Sequence, residues 1–184
     1  MKSLTGSLLI ASPALEDPNF FQTVTLIVQH DDEGAFGLVL NRLSDTSLGE
    51  VWSQVSETPC SRDVPVQVGG PVPGPLMAIH TNDSLADIPV IQGVCFSSQR
   101  ESLDTLITTP ADTPLRVFVG HAGWGPGQLE SEMREGSWEV IPASSELVFE
   151  EASELWRKAL KRRGRDTLAS LLGIEELPDD PSSN

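Results

Sequence analysis

Residues 116–130 read R-V-F-V-G-H-A-G-W-G-P-G-Q-L-E, and the fold turns on how they are read. The apolar run 115–119 has the composition of a buried strand. It breaks into Gly120, Gly123, Gly125 and Gly127, set around Trp124 and Pro126. Glycine punctuates strands, and proline suits a first helical position. The stretch thus predicts a strand, a tight turn with uncovered backbone N–H groups, and a helix over 126–135 stopped by Gly136. Such a corner can hold an anion or a carboxylate. It is not G-x-x-x-x-G-K-[ST] and lacks the dinucleotide spacing, so it is not a nucleotide loop. The competing reading is structural: the glycines allow a close crossing while Trp124 fills the core.

Upstream, residues 7–12 form a short apolar strand stopped by Pro13, and Asp17-Pro18-Asn19 is turn chemistry pinned by Phe20 and Phe21. Residues 23–30 alternate, and residues 35–40 are apolar. The Asp31-Asp32-Glu33-Gly34 turn between them predicts an antiparallel hairpin. Ser47 and Glu50 form a capping-box pattern ahead of a short helix over 48–55. Residues 64–70 read as a strand, and the prolines of 71–75 predict a break in regular structure before a strand at 77–81. Residues 88–97 read as one apolar stretch bent at Gly93. A second capping-box pattern, Ser98 to Glu101, opens a helix with Leu103, Leu106 and Ile107 on one face.

Downstream, residues 137–141 alternate as a strand. Residues 146–163 predict the longest helix, acidic early and basic late as the helix dipole prefers, with Gly164 as its stop. The expected fold is α/β of the mixed α+β kind, on a largely antiparallel or mixed sheet. One domain is expected over 1–165. Residues 166–184 form an acidic extension, with a disordered tail at 178–184.

The chain has 184 residues and a formal net charge of −15. At this length about two-thirds of the unfolded surface is buried on folding. The charge repels phosphate backbones, so nucleic acid is not an expected direct partner. The basic run 157–165 is the one exception, and a solvated helix end explains it. Two cysteines, Cys60 and Cys95, form no C-x-x-C unit and read as reduced thiols. No window is apolar enough to cross a bilayer, and a cytoplasmic address is expected.

The candidates for a ligand groove are His30, Asn41, Arg42, His80, His121, Trp124, Gln128 and Glu130. Each of the three histidines follows an apolar run. No H-x-H or H-E-x-x-H spacing supports a metal, and neither a metal nor a cofactor is expected. Arg42 could clamp a carboxylate or phosphate, or pair internally with Asp17, Glu130 or another acid. No serine lies in G-x-S-x-G, and the catalytic residues, if any, are not identified.

Three segments carry a resemblance. The first joins residues 6–13 (G-S-L-L-I-A-S-P) to Asp17-Pro18-Asn19-Phe20. The second runs from His30-Asp31 through residues 37–42 (G-L-V-L-N-R). The third is Gly120 with Ala122–Glu130, Glu132, Gly136 and Trp138, backed by Gly69-Gly70-Pro71-Val72 and His80. Together they resemble the YqgE/AlgH family, uncharacterised small bacterial proteins of which some carry the label of transcriptional regulators. The resemblance implies a twisted, bifurcated sheet curling into a pseudo-barrel flanked by helices. The chain departs from the family pattern at Leu43, where proline is usual, and at His121, where an aromatic or small residue is usual. The residues after Gly164 also depart from it. A non-catalytic binding or regulatory module, with a small-molecule or protein partner, is the leading expectation. Direct DNA binding and a small hydrolase using a histidine with Glu130 are the alternatives.

Overall fold

The strand that begins at Leu115 does not stop at the first glycine. In the computed structural model, which describes residues 3–172, β9 runs Leu115–Trp124 and passes straight through Gly120 and Gly123. The turn expected there is absent because partner strands absorb the backbone groups. Ala122, Gly123 and Trp124 pair with Gly37, Phe36 and Ala35 of β3 (Gly34–Val39). On its other edge, β9 pairs with β6 (Val72–His80) from Leu115 to His121. The N–H groups expected to cradle an anion are therefore largely spent on the sheet.

β9 is also where the sheet divides. The edge that meets β3 near Trp124 meets β5 (Pro65–Val68) near Val117, and this β5–β9 ladder is parallel. Gly69 bridges the fork. Its N–H donates to the Val119 carbonyl at 2.9 Å, and its own carbonyl accepts from Val39 N–H at 2.8 Å. A Cβ there would lie 2.3 Å from the Gly120 carbonyl oxygen, and Gly120 itself has φ +71°. Only glycine fits both requirements, close approach at one and left-handed backbone at the other.

The remaining strands are β1 (Ser7–Ala11), β2 (Val24–Asp31), β4 (Leu43–Ser47), β7 (Ile88–Ile91), β8 (Val94–Ser97) and β10 (Trp138–Pro142). The main order is β10-β1-β2-β3-β9-β6-β8-β7, with β4 and β5 branching from β9. The pairing is antiparallel apart from β5–β9 among the described residues. The β2–β3 hairpin closes at Asp31 and Gly34, as the turn chemistry predicts. The fold is thus mixed α+β, a curled half-barrel with helices on it.

Among the described residues the α-helices are α1 (Leu48–Ser53), α2 (Arg100–Thr108), α3 (Gln128–Arg134), α4 (Ser145–Val148) and α5 (Ala152–Leu172). The concave core holds Leu8, Ile10, Leu26, Leu38, Ile79 and Phe118, closed by Val148, Leu155 and Ala159 of α4 and α5. The convex side carries two further cores. One lies under α1 and α2, around Trp52, Leu106, Ile107 and Val117. The other lies under α3, around Leu9, Ile27, Trp124, Leu129 and Trp138. Strands buried on both faces explain why β1 reads as a continuous apolar run.

Several local expectations need correction. The prolines of 71–75 do not break the strand: β6 starts at Val72, and a register shift between Val72 and Leu76 takes Pro73 and Pro75 out of the ladder with β9. Residues 88–97 are two strands, a hairpin with Gly93 (φ +74°) in its turn. Ser98 does not cap α2. Instead, the Asp87 carboxylate accepts from Ser98 N–H at 2.6 Å and Gln99 N–H at 2.9 Å. α3 starts at Gln128, after Gly127 as N-cap, so Pro126 lies outside it. Gly136 does end it, with Ser137 N–H reaching back to the Glu132 carbonyl.

The long C-terminal helix is split. Arg116, buried on β9, donates to the Leu40 carbonyl at 2.8 Å and to the Glu150 carbonyl between α4 and α5. Burial pulls this guanidinium's pKa down to about 10. Gly164 does not end α5, which continues to Leu172. A single interior glycine costs a helix only about 1 kcal/mol, and it carries no cap geometry here. The tail expected at 178–184 lies outside the described residues.

Candidate functional site

The eight candidates do not form one groove. His30, Ala35 and Trp124 stand in a single cross-strand row on β2, β3 and β9. α3 lies over that row and brings Glu130 and Gln128 to it. His30 Nε2 lies 2.8 Å from Glu130 Oε1, while Nδ1 accepts from Leu4 N–H at 3.0 Å. Because Nδ1 is an acceptor, the proton sits on Nε2 and is donated to the carboxylate. Both ring nitrogens are therefore occupied. His30 is 6% exposed and Trp124 5%, so this corner is covered, not open.

Sequence reading missed the acceptor that organises the corner, Glu132. One of its oxygens takes the indole N–H of Trp124 at 2.9 Å and that of Trp138 at 2.8 Å. The other takes Gln128 Nε2 at 2.9 Å, and Gln128 Oε1 accepts from Gly125 N–H. Phe20 completes the packing, 6.0 Å from the Trp124 ring and 5.3 Å from that of Trp138. A signal was present: two tryptophans flank an acid at −8 and +6, and buried indoles need an acceptor.

Asn41 and Arg42 lie at the opposite end of the β2–β3 hairpin from His30. Asn41 bridges the loop before β2, accepting from Val24 N–H at 2.9 Å and donating to the Gln22 carbonyl at 2.8 Å. Arg42 donates to the Phe21 carbonyl. It pairs with neither Asp17 nor Glu130. His121 sits on β9 opposite the β6 irregularity, with its ring 5.2 Å from Phe36. Its buried Nδ1 has no partner among the described residues.

His80 belongs to a different place. It ends β6, with Nε2 2.9 Å from Ser97 Oγ and Nδ1 accepting from Asn82 N–H at 3.1 Å. Ser97 in turn donates to the Leu85 carbonyl at 2.5 Å. Burial lowers the His80 pKa against the opposing pull of Asp87 and Asp83, which keeps the ring neutral. His80 lines a cleft of about 510 Å³ between α2 and the 3-10 turn Asp83–Leu85, with Arg62, Asn82, Asp83, Thr105 and Thr109. That volume lies within the roughly 300–1,000 Å³ of small-molecule sites.

Next to this cleft the Cys95 thiol donates to Asp83 Oδ1 at 3.1 Å. Burial first, and then Asp83, push its pKa up to about 11. The folded chain thus holds this proton through a range where the unfolded chain releases it. That contribution to stability is complete below about pH 9 and disappears as pH rises through about 11. A disulfide-exchange reagent at pH 8 should modify Cys60 rapidly and Cys95 only on unfolding, because the reactive species is the thiolate. Two thiols reacting at one fast rate in the native protein would contradict this, and Cys95→Ala should flatten the alkaline loss of stability.

Neither a helix long and apolar enough to cross a membrane nor a group of three or more His, Cys, Asp or Glu able to hold a metal occurs among the described residues. Three of the six bases in the basic run of α5 pair with acids. Arg157 pairs with Glu154, Lys158 with Glu150 at 2.6 Å, and Arg163 with Glu139 at 2.8 Å.

A forked, curled α+β sheet with this covered tryptophan corner defines the class of small half-barrel proteins that the sequence motifs suggest. The AlgH-like family model matches residues 8–168, and the chain belongs to that family. A UPF0301 protein of Streptomyces coelicolor is 37% identical over 201 residues, covering 100% of this chain and 97% of the relative. One from Chlorobaculum tepidum is 38% identical over 165 residues, covering 86% of each. The solution structure of the AlgH protein from Pseudomonas aeruginosa matches with a TM-score of 0.74 at 30% identity, covering 96% of this chain and 97% of that one.

Proposed function

We propose that this chain is a non-catalytic binding or regulatory module of the bacterial cytoplasm. The observation that carries the reading is the state of its two buried, strand-end imidazoles. His30 and His80 each have both ring nitrogens engaged by protein groups, so neither offers a lone pair to a substrate proton. The buried thiol Cys95 is held protonated, which argues against nucleophilic use of it. These facts weigh against a hydrolase built on His30 or His80, and the unpartnered Nδ1 of His121 is itself buried, while the polar cleft beside His80 supports binding. Free thiols at Cys60 and Cys95 suit a reducing compartment.

Direct DNA binding is the weaker alternative. A net charge of −15, with three bases of α5 paired to acids, leaves little cationic surface for a phosphate backbone. The test is a small-molecule panel scored by thermal shift and by amide chemical-shift mapping, run beside a gel shift with duplex DNA at low salt. The expected result is saturable binding without turnover, and no DNA shift. Turnover with a pH profile near neutrality, lost on a single His→Ala change, would sink the reading. So would a DNA shift abolished by neutralising residues 157–165.

A further inference from the structure

The cleft beside His80 has a polarity that selects a class of ligand. Among the described residues its lining has one cationic side chain, Arg62, in a molecule whose net charge is −15. That guanidinium is anchored: Nη2 donates to the Thr113 carbonyl at 2.6 Å. Its remaining N–H donors have no partner among the described residues, which leaves a positioned fork suited to a carboxylate. Among the described residues the same lining has one carboxylate, Asp83. Its Oδ1 is occupied by the Cys95 thiol, and Oδ2 has no partner among the described residues. The hydroxyls of Thr81, Thr109 and Thr113 line the cleft and are likewise without a hydrogen-bond partner among the described residues.

The floor is rigid. His80 is held at both nitrogens, and Ser97 passes the chain of hydrogen bonds on to Leu85. Among the described residues the lining has no Phe, Tyr or Trp, and the one ring in it, the His80 imidazole, is 1% exposed, so a stacked base has no broad platform. A plain anion would face Asp83, and a plain amine would face Arg62. A molecule carrying both charges satisfies both, and the volume of about 510 Å³ leaves room for one of modest size.

We infer that the cleft between α2 and the 3-10 turn is a binding site for a small zwitterion of the amino-acid class, its carboxylate on Arg62 and its ammonium on Asp83. This rests on the binding-module reading and specifies its site and ligand chemistry. The hydroxyls take the ligand's remaining polar atoms, and His80 and Ser97 support the floor without touching the ligand chemically.

The test uses the full chain, labelled with ¹⁵N, titrated with glycine, L-serine and L-asparagine, and with propionate and ethylamine as the two half-ligands. At least one amino acid should move the amides of Asn82, Thr105, Thr109 and Thr113 saturably, and both half-ligands should bind at least tenfold more weakly. Arg62→Gln should weaken the amino acid at least tenfold, and Asp83→Asn should erase its advantage over propionate. The half-ligand comparison needs no variant, so it decides the matter even if Arg62→Gln fails to fold. Propionate binding as tightly as the amino acid would overturn the zwitterion assignment. Silence of the cleft amides to every probe at millimolar concentration would overturn the site. Shifts confined to the Trp124 corner would overturn the site while leaving the binding-module reading standing.

Discussion

Replacing Gly69 by alanine should leave little folded protein, or lower stability by at least about 3 kcal/mol, near the upper end of what an overpacked site costs. The added methyl would sit 2.3 Å from the Gly120 carbonyl oxygen and 2.9 Å from Leu38 Cδ2. The first distance is far inside van der Waals contact, and the obstructing atom is backbone. Relief would require β5 and β9 to separate where Gly69 N–H reaches the Val119 carbonyl. The same movement would strain the Val39 N–H bond to Gly69, and so loosen β3 on the other branch. No left-handed backbone is involved at Gly69, which isolates the steric effect. Gly49→Ala is the matched control, since a Cβ there meets nothing within 4 Å. It should be neutral or stabilise by up to about 1 kcal/mol through the unfolded chain. Urea unfolding of both variants reads the difference, and equal midpoints would show that the fork relaxes freely.

What could be read from the sequence divides along the same line, local against distant. The β2–β3 hairpin was legible because alternation and its D-D-E-G turn are properties of neighbouring residues. The Ser47–Glu50 capping box was legible for the same reason, and both of its hydrogen bonds form. The second capping pattern failed because Asp87, far back in the chain, takes the N–H groups of Ser98 and Gln99. The glycines after Val119 signalled a turn, yet β3 and β6 supply pairing that local chemistry cannot anticipate. The curl and the fork came from the family resemblance, not from periodicity. Of the site, the contact of His30 with Glu130 and the neighbourhood of Trp124 and Gln128 were within reach. The separation of Arg42 and His80 from them was not, since it depends on which end of each strand faces which helix.

The acid that sequence reading passed over should matter more than those it picked out. Glu132→Ala should cost about 2–5 kcal/mol, because it strips two indole N–H groups of a charged acceptor in one step. Trp124 is 5% exposed and Trp138 6%, so water cannot easily replace the lost oxygen. The two indoles share a single carboxylate oxygen, so the losses are not additive, and the sum of two charged hydrogen bonds is a ceiling. Glu132→Gln keeps one carbonyl acceptor and should cost about half as much, with Gln128 left to rearrange. Glu130→Gln, by contrast, removes the charge at a partly exposed partner of His30 but leaves an acceptor in place, and should stay below about 1 kcal/mol. Chemical denaturation gives the free energies, and tryptophan emission reports the corner directly, since exposing either indole shifts it to the red. Glu132 lies toward the C-terminal end of α3, where the helix dipole does not favour an acid, so a carboxylate that only faced solvent there would change stability by no more than about 0.5 kcal/mol in either direction on truncation and leave the emission unmoved. A result of that size would mean that the aromatic packing of Phe20, Trp124 and Trp138, not the carboxylate beneath it, holds α3 on the sheet.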